Sequence, residues 1–242
     1  MTKKFAVFDI DGTLVRWQLY HAITDELGKQ GYLPAGSLEH LHAMRMEWKN
    51  RNSLDAYLRY ETELVTVFQS ALADIPVEAY QRAVEAVFDT YKDQVYIYTR
   101  GLIQELKQAG YLIFAISGSP QEILEKIGEH YGFDAVVGPQ YEQSNGAFTG
   151  EAVPTHGRKG IILQQLVEKY GANWQDSIAV CDSPSDIAML DLVKKPIAFN
   201  PTGDLYELAL QKRWPIVIER KNVVYELRPR DGSYVLEKKA RG

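Results

Sequence analysis

The chain opens with a short apolar segment, and a long series of amphipathic segments follows it. KFAVFDI, at residues 4–10, is apolar from Phe5 to Phe8 and rich in aromatic and β-branched side chains, which predicts a buried strand. Residues 15–94 instead carry apolar side chains three or four positions apart in four successive segments, and Pro76 stands where the last of them begins. That spacing is typical of amphipathic helices, so the pattern predicts an inserted helical module.

From about residue 100 onward, strand-like and helix-like segments alternate. The strand-like segments are YLIFAIS, DAVVGPQ, SIAVC, PIAFN and WPIVIE. Alternation of this kind favours a parallel sheet with helices on both faces. We therefore predict an α/β protein with a Rossmann-like parallel-sheet core, residues 1–15 and 95–242. An α-helical cap, residues 16–94, is inserted into this core and is expected to close over it.

Local signals refine this picture at three places. Ser119, Pro120 and Glu122 have the pattern of a capping box, which predicts Ser119 as the N-cap of the following helix. The Asn-Gly pair at residues 145–146 predicts a hairpin turn, and the Asp-Gly pair at residues 231–232 predicts another.

The composition of the chain argues against several classes of function. The 242 residues carry a formal net charge of −5 and a single cysteine, Cys181. Mild acidity gives no support to a nucleic-acid partner, since proteins that bind nucleic acids usually have a basic face. One cysteine cannot form an internal disulfide, which suits a reducing compartment. Nowhere do about 18 apolar residues run together, as a membrane-spanning helix requires. We expect a cytoplasmic protein that acts on a small molecule, without a nucleic-acid or membrane partner; the oligomeric state stays open.

Acidic residues and a Ser-Gly pair follow three of the predicted strands directly. These residues are Asp9, Asp11, Ser117, Gly118, Asp182 and Asp186. Ligands of open parallel sheets bind beyond the carboxyl ends of the strands, so we expect these residues to converge at one edge. Lys159 opens a predicted helix and is expected to join them, although Arg158 beside it could compete for the same role.

These residue types together suit phosphoryl transfer. Clustered carboxylates raise each other's pKa unless a cation lies among them, and a hard divalent cation such as Mg²⁺ takes oxygen ligands. The helix N-terminus after Ser117 offers backbone donors to a phosphate, and Lys159 adds positive charge. One aspartate can attack phosphorus while a second one protonates the leaving oxygen. Taken alone, Asp182 and Asp186 would also suit an ordinary helix N-terminus.

The sequence motifs DIDGT, SGS, RKG and CDSPSD resemble, in this order, the four motifs of the haloacid dehalogenase superfamily of phosphohydrolases. The match runs from Asp9 to Asp186. The later segment PIAFNP…ELALQKRWPI is similar to the branch that includes phosphoserine phosphatase. In that branch a small helical cap is inserted directly after the first motif, and the helical segment of this chain lies at the same place. The second aspartate of the first motif points to phosphatase or phosphotransferase chemistry within this superfamily.

The resemblance implies a role for each matching residue. It makes Asp9 the nucleophile and Asp11 the general acid and base. Thr13 would position the loop beside the phosphate. The phosphate-binding residues that it implies are Thr13, Ser117, Gly118 and Lys159. The implied Mg²⁺ ligands are Asp9, Asp11 through its backbone carbonyl, Asp182 and Asp186.

The sequence departs from the family pattern at flanking positions. Cys181 precedes Asp182 where glycine is more common, and Ser185 stands where asparagine is common. Both positions flank the key carboxylates without supplying one, so we expect activity to survive.

Positions that would contact the substrate also differ. Phosphoserine phosphatases carry an acidic residue near the position of Gln18, whereas this chain offers Arg16 and Gln18. This difference favours a leaving group that is neutral or anionic. Arg45 and Arg51 are further candidates for substrate contacts, with solvated helix charges as the alternative interpretation.

The sequence thus predicts a Mg²⁺-dependent phosphatase that hydrolyses a small phosphate monoester through an aspartyl-phosphate on Asp9. One alternative is a phosphotransferase that passes the phosphoryl group to an acceptor hydroxyl. Another is a non-catalytic regulator that binds phosphate or metal.

Overall fold

The chain forms two compact units. The computed structural model describes residues 3–51, 53 and 55–241, with side chains described as far as residue 237. The first unit comprises Met1–Gln18, Tyr91–Pro139 and Pro154–Gly242, and the second comprises Leu19–Thr90 and Gln140–Val153. Among the described residues, no helix is both long and apolar enough to cross a membrane.

The strands follow one another in the order that the apolar segments predict. In the described residues they are β1 (Phe5–Phe8), β2 (Leu112–Ile116), β3 (Ala135–Val137), β4 (Gln140–Ser144), β5 (Ala147–Val153), β6 (Ile178–Cys181), β7 (Lys195–Phe199), β8 (Ile216–Arg220), β9 (Val223–Arg230) and β10 (Ser233–Arg241). The first unit contains a sheet with the order β10-β9-β8-β7-β6-β1-β2-β3. The six neighbouring strands β8, β7, β6, β1, β2 and β3 run parallel to one another, which confirms the predicted parallel-sheet core. Strands β9 and β10 extend it as an antiparallel hairpin about residues 231–232.

Helices connect the parallel strands of the first unit. They are α5 (Ile97–Gln108), α6 (Gln121–Tyr131), α7 (Lys159–Tyr170), α8 (Ile187–Leu190) and α9 (Gly203–Lys212). Leu163 of α7, Met189 of α8 and Leu205 of α9 share one buried apolar cluster with Val7 and Phe114 of the sheet. Burying these side chains supplies the main stabilisation of the unit, because each buried aliphatic side chain contributes about 1.5–3 kcal/mol.

The second unit is built from the helices α1 (Leu19–Lys29), α2 (Ser37–Lys49), α3 (Ala56–Ala71) and α4 (Val77–Tyr91). Leu41, Tyr60 and Leu64 form the centre of a buried cluster between α2 and α3. The hairpin β4–β5 also belongs to this unit, with Asn145 at φ 51° and Gly146 at φ 79° in its turn, as the Asn-Gly pair predicts.

The limits of the units differ from the predicted 16–94 boundary at two places. Residues 14–16 pair with residues 94–96 in a short antiparallel ladder. The two chain segments that connect the units therefore belong to the unit that contains the sheet. The segment 140–153, which the sequence analysis places in the core, joins the helical unit instead. Its Tyr141 and Phe148 side chains are buried beside Phe68 and Tyr80, and aromatic contacts of this kind carry no periodic signal along the chain.

The predicted cap of α6 is wrong. The N-cap position is Pro120 rather than Ser119, and the Pro120 side chain makes no capping hydrogen bond. Ser119 is buried, and its backbone N–H donates to the Ser117 hydroxyl oxygen at 3.0 Å. Ser119 is therefore part of the tight turn that follows β2, although the local capping pattern predicts it at the start of the helix.

A buried histidine lies inside the helical unit. His21 of α1 is 2% exposed and lies edge-on to the Tyr60 ring of α3, at 5.1 Å between ring centroids. Burial lowers the pKa of His21 to about 4; Asp25 raises it, and Arg45 of α2 lowers it further. Tyr57 of α3 also lies beside the ring. The imidazole is therefore neutral at pH 7 when the chain is folded.

We expect acid to destabilise the protein through this side chain. The unfolded chain protonates His21 near pH 6.5 and the folded chain near pH 4, so stability is complete above pH 6.5 and falls as the pH drops toward 4. Linkage puts the loss at roughly 2 kcal/mol between pH 7 and pH 5. Urea unfolding at the two pH values should give a smaller difference for His21→Gln than for the native chain. The exposed His156→Gln serves as control, and an unchanged difference in His21→Gln would contradict the assignment.

Candidate active site

Three loops meet at one edge of the sheet because β1 lies between β2 and β6. Phe8 pairs with Ala115 of β2 and with Val180 of β6, so the residues after the three strands start at the same level. The Asp9 N–H donates to the Val180 carbonyl oxygen at 3.1 Å. The polar residues after these strands therefore converge at the carboxyl edge, where ligands bind in sheets of this kind.

Lys159 joins two of the carboxylates. Its Nζ lies 2.9 Å from Oδ1 of Asp9 and 2.5 Å from Oδ1 of Asp186. All three side chains are buried, whereas the neighbouring Arg158 is exposed. The sequence leaves both Lys159 and Arg158 as candidates for the positive charge of the site. The structure shows that Lys159 is the one that lies between the carboxylates.

Burial and the neighbouring carboxylates disfavour the ionised forms of the acids in this cluster. Burial raises the pKa of Asp9 to about 8, with Lys159 opposing the shift and Asp186 adding to it. Burial likewise raises the pKa of Asp182 well above its usual range. Burial by itself lowers the pKa of Lys159, but Asp9 and Asp186 raise it by more, so the ammonium stays charged. One ammonium thus faces more carboxylates than it can neutralise.

Asp9, Asp182 and Asp186 have the arrangement of a metal site. Each offers a carboxylate oxygen, and the three oxygens lie within 4.8 Å of one another. Hard divalent cations take such ligands, and a cation among them would compensate the charge that Lys159 leaves unbalanced. The residues present therefore fit a divalent metal ion. Asp11 enters the expected ligand set through its backbone carbonyl and lies outside this side-chain cluster.

A chain of hydrogen bonds holds Asp11 and the loop after β2. The Ser117 hydroxyl donates to Oδ2 of Asp11 at 2.7 Å and accepts from the Ser119 N–H. The Thr155 hydroxyl donates to the Ser117 carbonyl oxygen at 2.8 Å. Asp11 and Ser117 are both buried, so these bonds orient the Asp11 carboxyl group in a fixed direction.

Thr13 and Gly118, the other predicted phosphate-binding residues, differ in exposure. Thr13 is fully buried, and its hydroxyl has no hydrogen-bond partner within the described part of the chain. Gly118 is exposed between the buried Ser117 and Ser119, so its backbone faces solvent at the edge where the carboxylates lie.

The predicted specificity residues lie in different surroundings. In the first unit, Arg16 is exposed and Gln18 is half-buried. In the second unit, Arg45 forms an ion pair with Asp25 at 2.5 Å, so a neighbouring helix already satisfies part of its charge. Arg51 is exposed just beyond the end of α2, at φ 55°.

Sequence reasoning assigned no role in the site to three hydroxyl groups that the structure places there. Besides Thr155, the Ser183 hydroxyl donates to Oδ2 of Asp186 at 3.0 Å, and Ser185 lies 2.8 Å from Ser183. Ser185, which stands where the family commonly has asparagine, is thus linked to Asp186 through the Ser183 hydroxyl. The position of Ser183 directly after Asp182 could have predicted that it lies in the site, whereas no local sequence pattern predicts this for Thr155.

Gly12 provides a test of how closely the loop approaches Asp182. Its φ is +78°, and a Cβ at this position would lie 2.2 Å from Oδ2 of Asp182. We expect Gly12→Ala to lower the rate of phosphate release at least about tenfold, because Asp182 must move away.

The matched control is Gly110→Ala, which has φ +77° and open space around the added methyl group. Both variants pay roughly 1–2 kcal/mol for left-handed backbone, which urea unfolding measures. Only Gly12→Ala should also lose activity. Equal activity in the two variants would contradict the close approach.

Comparison with known proteins places the chain in a family. The model of the haloacid dehalogenase-like hydrolases matches residues 6–191. The chain is similar to the phosphoserine phosphatase of Methanocaldococcus jannaschii, with 28% identity over 224 residues that cover 91% of this chain and 94% of that protein. It is also similar to the histidinol-phosphatase of Neisseria meningitidis serogroup C, with 27% identity covering 89% and 98% of the two chains.

Solved structures agree with this result. A phosphoserine phosphatase structure described as a phospho-aspartyl intermediate analogue has a TM-score of 0.64 at 26% identity, covering 91% of this chain and 95% of that one. A protein of unknown function from Bordetella pertussis Tohama I has a TM-score of 0.73 at 21% identity, covering 90% and 99%, and shares the fold. The resemblance that the motifs indicate is confirmed: the chain belongs to the haloacid dehalogenase-like hydrolase family, in a branch similar to the phosphoserine phosphatases.

Proposed function

We propose that the protein is a Mg²⁺-dependent phosphatase that hydrolyses a small phosphate monoester through an aspartyl-phosphate on Asp9. That it is a phosphoric monoester hydrolase follows from its family and from its phosphatase relatives. The observation that carries the finer proposal is the buried cluster in which Lys159 lies between Asp9 and Asp186, with Asp182 beside them.

Four residues of the site have a role in the two steps of this reaction. An oxygen of Asp9 attacks phosphorus, and the bond from phosphorus to the leaving oxygen breaks. Asp11 gives its proton to that oxygen and then takes one from the water that hydrolyses the phosphoenzyme. The hydrogen bond from Ser117 orients Asp11 for both transfers. The Lys159 ammonium stabilises negative charge that develops on the phosphoryl oxygens.

Mg²⁺ is the metal that we propose for this site. Asp9, Asp182 and Asp186 would hold it through their side chains, and Asp11 through its backbone carbonyl. When bound, a divalent cation supplies compensation for the charge of the carboxylates and of a phosphate ester. Ser183 supports the set, since its hydroxyl hydrogen-bonds to Asp186.

The substrate that we propose is a small monoester whose leaving group is neutral or anionic. The relatives named above include a phosphoserine phosphatase and a histidinol-phosphatase, so their names alone do not select one leaving group. Gln18 carries no charge to hold an ammonium group, which supports a substrate other than phosphoserine.

A substrate panel tests the proposal. Phosphate release is measured from p-nitrophenyl phosphate, phosphoserine, histidinol phosphate and glycerol 3-phosphate, with Mg²⁺ and with EDTA. We expect release that requires Mg²⁺ and a best substrate other than phosphoserine. A highest rate for phosphoserine or for histidinol phosphate, whose leaving groups both carry an ammonium group, would contradict the leaving-group proposal.

The same assay separates the alternatives. Transfer of phosphate to an added acceptor alcohol in preference to water would identify a phosphotransferase. Binding of Mg²⁺ without turnover of any ester would identify a non-catalytic regulator.

A further inference from the structure

Arg16 lies on a rigid part of the first unit, directly after the loop that carries Asp9 and Asp11. The Arg16 N–H donates to the Gln94 carbonyl oxygen at 2.9 Å, and the Tyr96 N–H donates to the Leu14 carbonyl oxygen at 2.9 Å. Residues 15 and 95 pair between these two bonds. The backbone under Arg16 is thus fixed by hydrogen bonds on both sides.

The side chain of Arg16 is held as well. Its guanidinium carbon lies 5.6 Å from the centroid of the Tyr96 ring, which is the geometry of a cation–π contact. Tyr96 in turn lies edge-on to Phe199 at the end of β7, at 5.0 Å between ring centroids. Stacking on a supported ring restricts the rotamers of an arginine that is otherwise exposed.

Tyr96 connects Arg16 to the carboxylate cluster. Burial raises the pKa of the Tyr96 phenol, the positive charge of Arg16 lowers it and the negative charge of Asp182 raises it, so both charges lie near this ring. A hydrogen bond with the Asn200 side chain also lowers this pKa. The loop after Asn200 also touches the cluster, because the Thr202 N–H donates to the Asp182 carbonyl oxygen at 2.9 Å. Arg16 and Tyr96 therefore lie at the border of the proposed catalytic site.

The charge of Arg16 has no partner within the described part of the chain. No carboxylate there lies within ion-pairing distance of its guanidinium, and its contact is with the Tyr96 ring. The other cation of the site, Lys159, is already paired with Asp9 and Asp186. A fixed, unpaired guanidinium beside a phosphate site suits a second anion, because its planar donors match a carboxylate.

We infer that Arg16, positioned by Tyr96, binds a second anionic group on the substrate, so that the preferred esters carry a carboxylate on the leaving group. This inference rests on the proposed phosphatase function and narrows its leaving group from neutral or anionic to anionic. Arg16 is a specificity residue in this account, and Tyr96 is a positioning residue that acts through it.

Two pairs of esters that differ in one carboxylate test the inference. They are phosphoglycolate against ethyl phosphate, and 3-phosphoglycerate against glycerol 3-phosphate. For the native chain we expect kcat/KM to be at least about tenfold higher for the carboxylated member of each pair, as one charge-assisted contact provides. Arg16→Met, which removes the charge but keeps an unbranched side chain, should reduce this ratio to near one.

Variants of Tyr96 test the positioning role. Tyr96→Leu removes the ring but leaves Arg16 in place. It should lower the ratio of kcat/KM between the carboxylated and the uncarboxylated ester, mainly by raising KM for the carboxylated one. Tyr96→Phe keeps the ring and should retain the ratio. The control is Arg230→Met, an exposed arginine of β9, which should leave both rates unchanged.

The outcomes separate this inference from the proposed function. If the native chain hydrolyses esters but prefers neither member of the pairs, or if Arg16→Met slows both members equally, the inference is wrong and the phosphatase stands. If no ester, including p-nitrophenyl phosphate, is hydrolysed with Mg²⁺, the proposed function itself fails.

Discussion

Replacing Asp9 with asparagine is expected to abolish phosphate release, with kcat falling at least about 1,000-fold. Asparagine has nearly the size of aspartate, but its amide is a poor nucleophile and cannot form the aspartyl-phosphate. The change also removes one of the three carboxylates of the proposed metal site. The measurement is p-nitrophenyl phosphate hydrolysis with Mg²⁺, comparing native and variant proteins at saturating substrate.

The control for this experiment is Asp231→Asn. Asp231 lies in the exposed turn between β9 and β10 at φ 47°, a conformation that asparagine adopts readily. This variant should keep the native rate. An Asp9→Asn protein that is folded by circular dichroism and retains more than about a tenth of the native rate would contradict the nucleophile assignment.

Replacing Lys159 with methionine is expected to lower both activity and stability. The variant leaves Asp9 and Asp186 buried without the ammonium that lies 2.9 and 2.5 Å from them. Removing one partner from a buried ion pair costs about 3–5 kcal/mol, so the midpoint of urea unfolding without metal should fall clearly. We also expect kcat to fall at least about 100-fold, because the phosphoryl oxygens lose a positive charge.

Lys169→Met on the same helix is the matched control. Lys169 is exposed in the last turn of α7, so its loss should change neither the unfolding midpoint nor the rate beyond experimental scatter. Mg²⁺ should restore part of the stability of Lys159→Met, because it supplies the charge that the variant lacks. A Lys159→Met protein with native stability and native activity would contradict the role of the buried ion pair.

The positions of the predicted site residues follow from strand register. Asp9, Ser117 and Asp182 each come directly after an apolar segment, and parallel strands carry such residues to one edge whatever the details of packing. This is why motifs far apart in the sequence could be predicted to meet. The identity of the segments as strands was readable because their side chains are buried on both faces.

Other features depended on contacts that no local pattern records. The hairpin β4–β5 joins the helical unit through Tyr141 and Phe148, and these aromatic side chains would read equally well as part of the sheet unit. The Ser119 capping pattern was plausible locally, but the Ser117 hydroxyl takes the Ser119 N–H within the turn. In both cases a long-range or turn-specific contact overrides the local preference.

The sequence by itself determined the α/β class, the parallel core and the family, and it named the candidate carboxylates, because burial periodicity and short motifs are properties of neighbouring residues. The tertiary structure decided that Lys159 rather than Arg158 lies between the carboxylates, since the start of α7 buries one side chain and exposes the other. It also decided that Arg16 stacks on Tyr96, because the ladder of residues 14–16 and 94–96 brings together side chains from distant parts of the chain. Such choices depend on packing directions between distant elements, which the order of residues along the chain does not record.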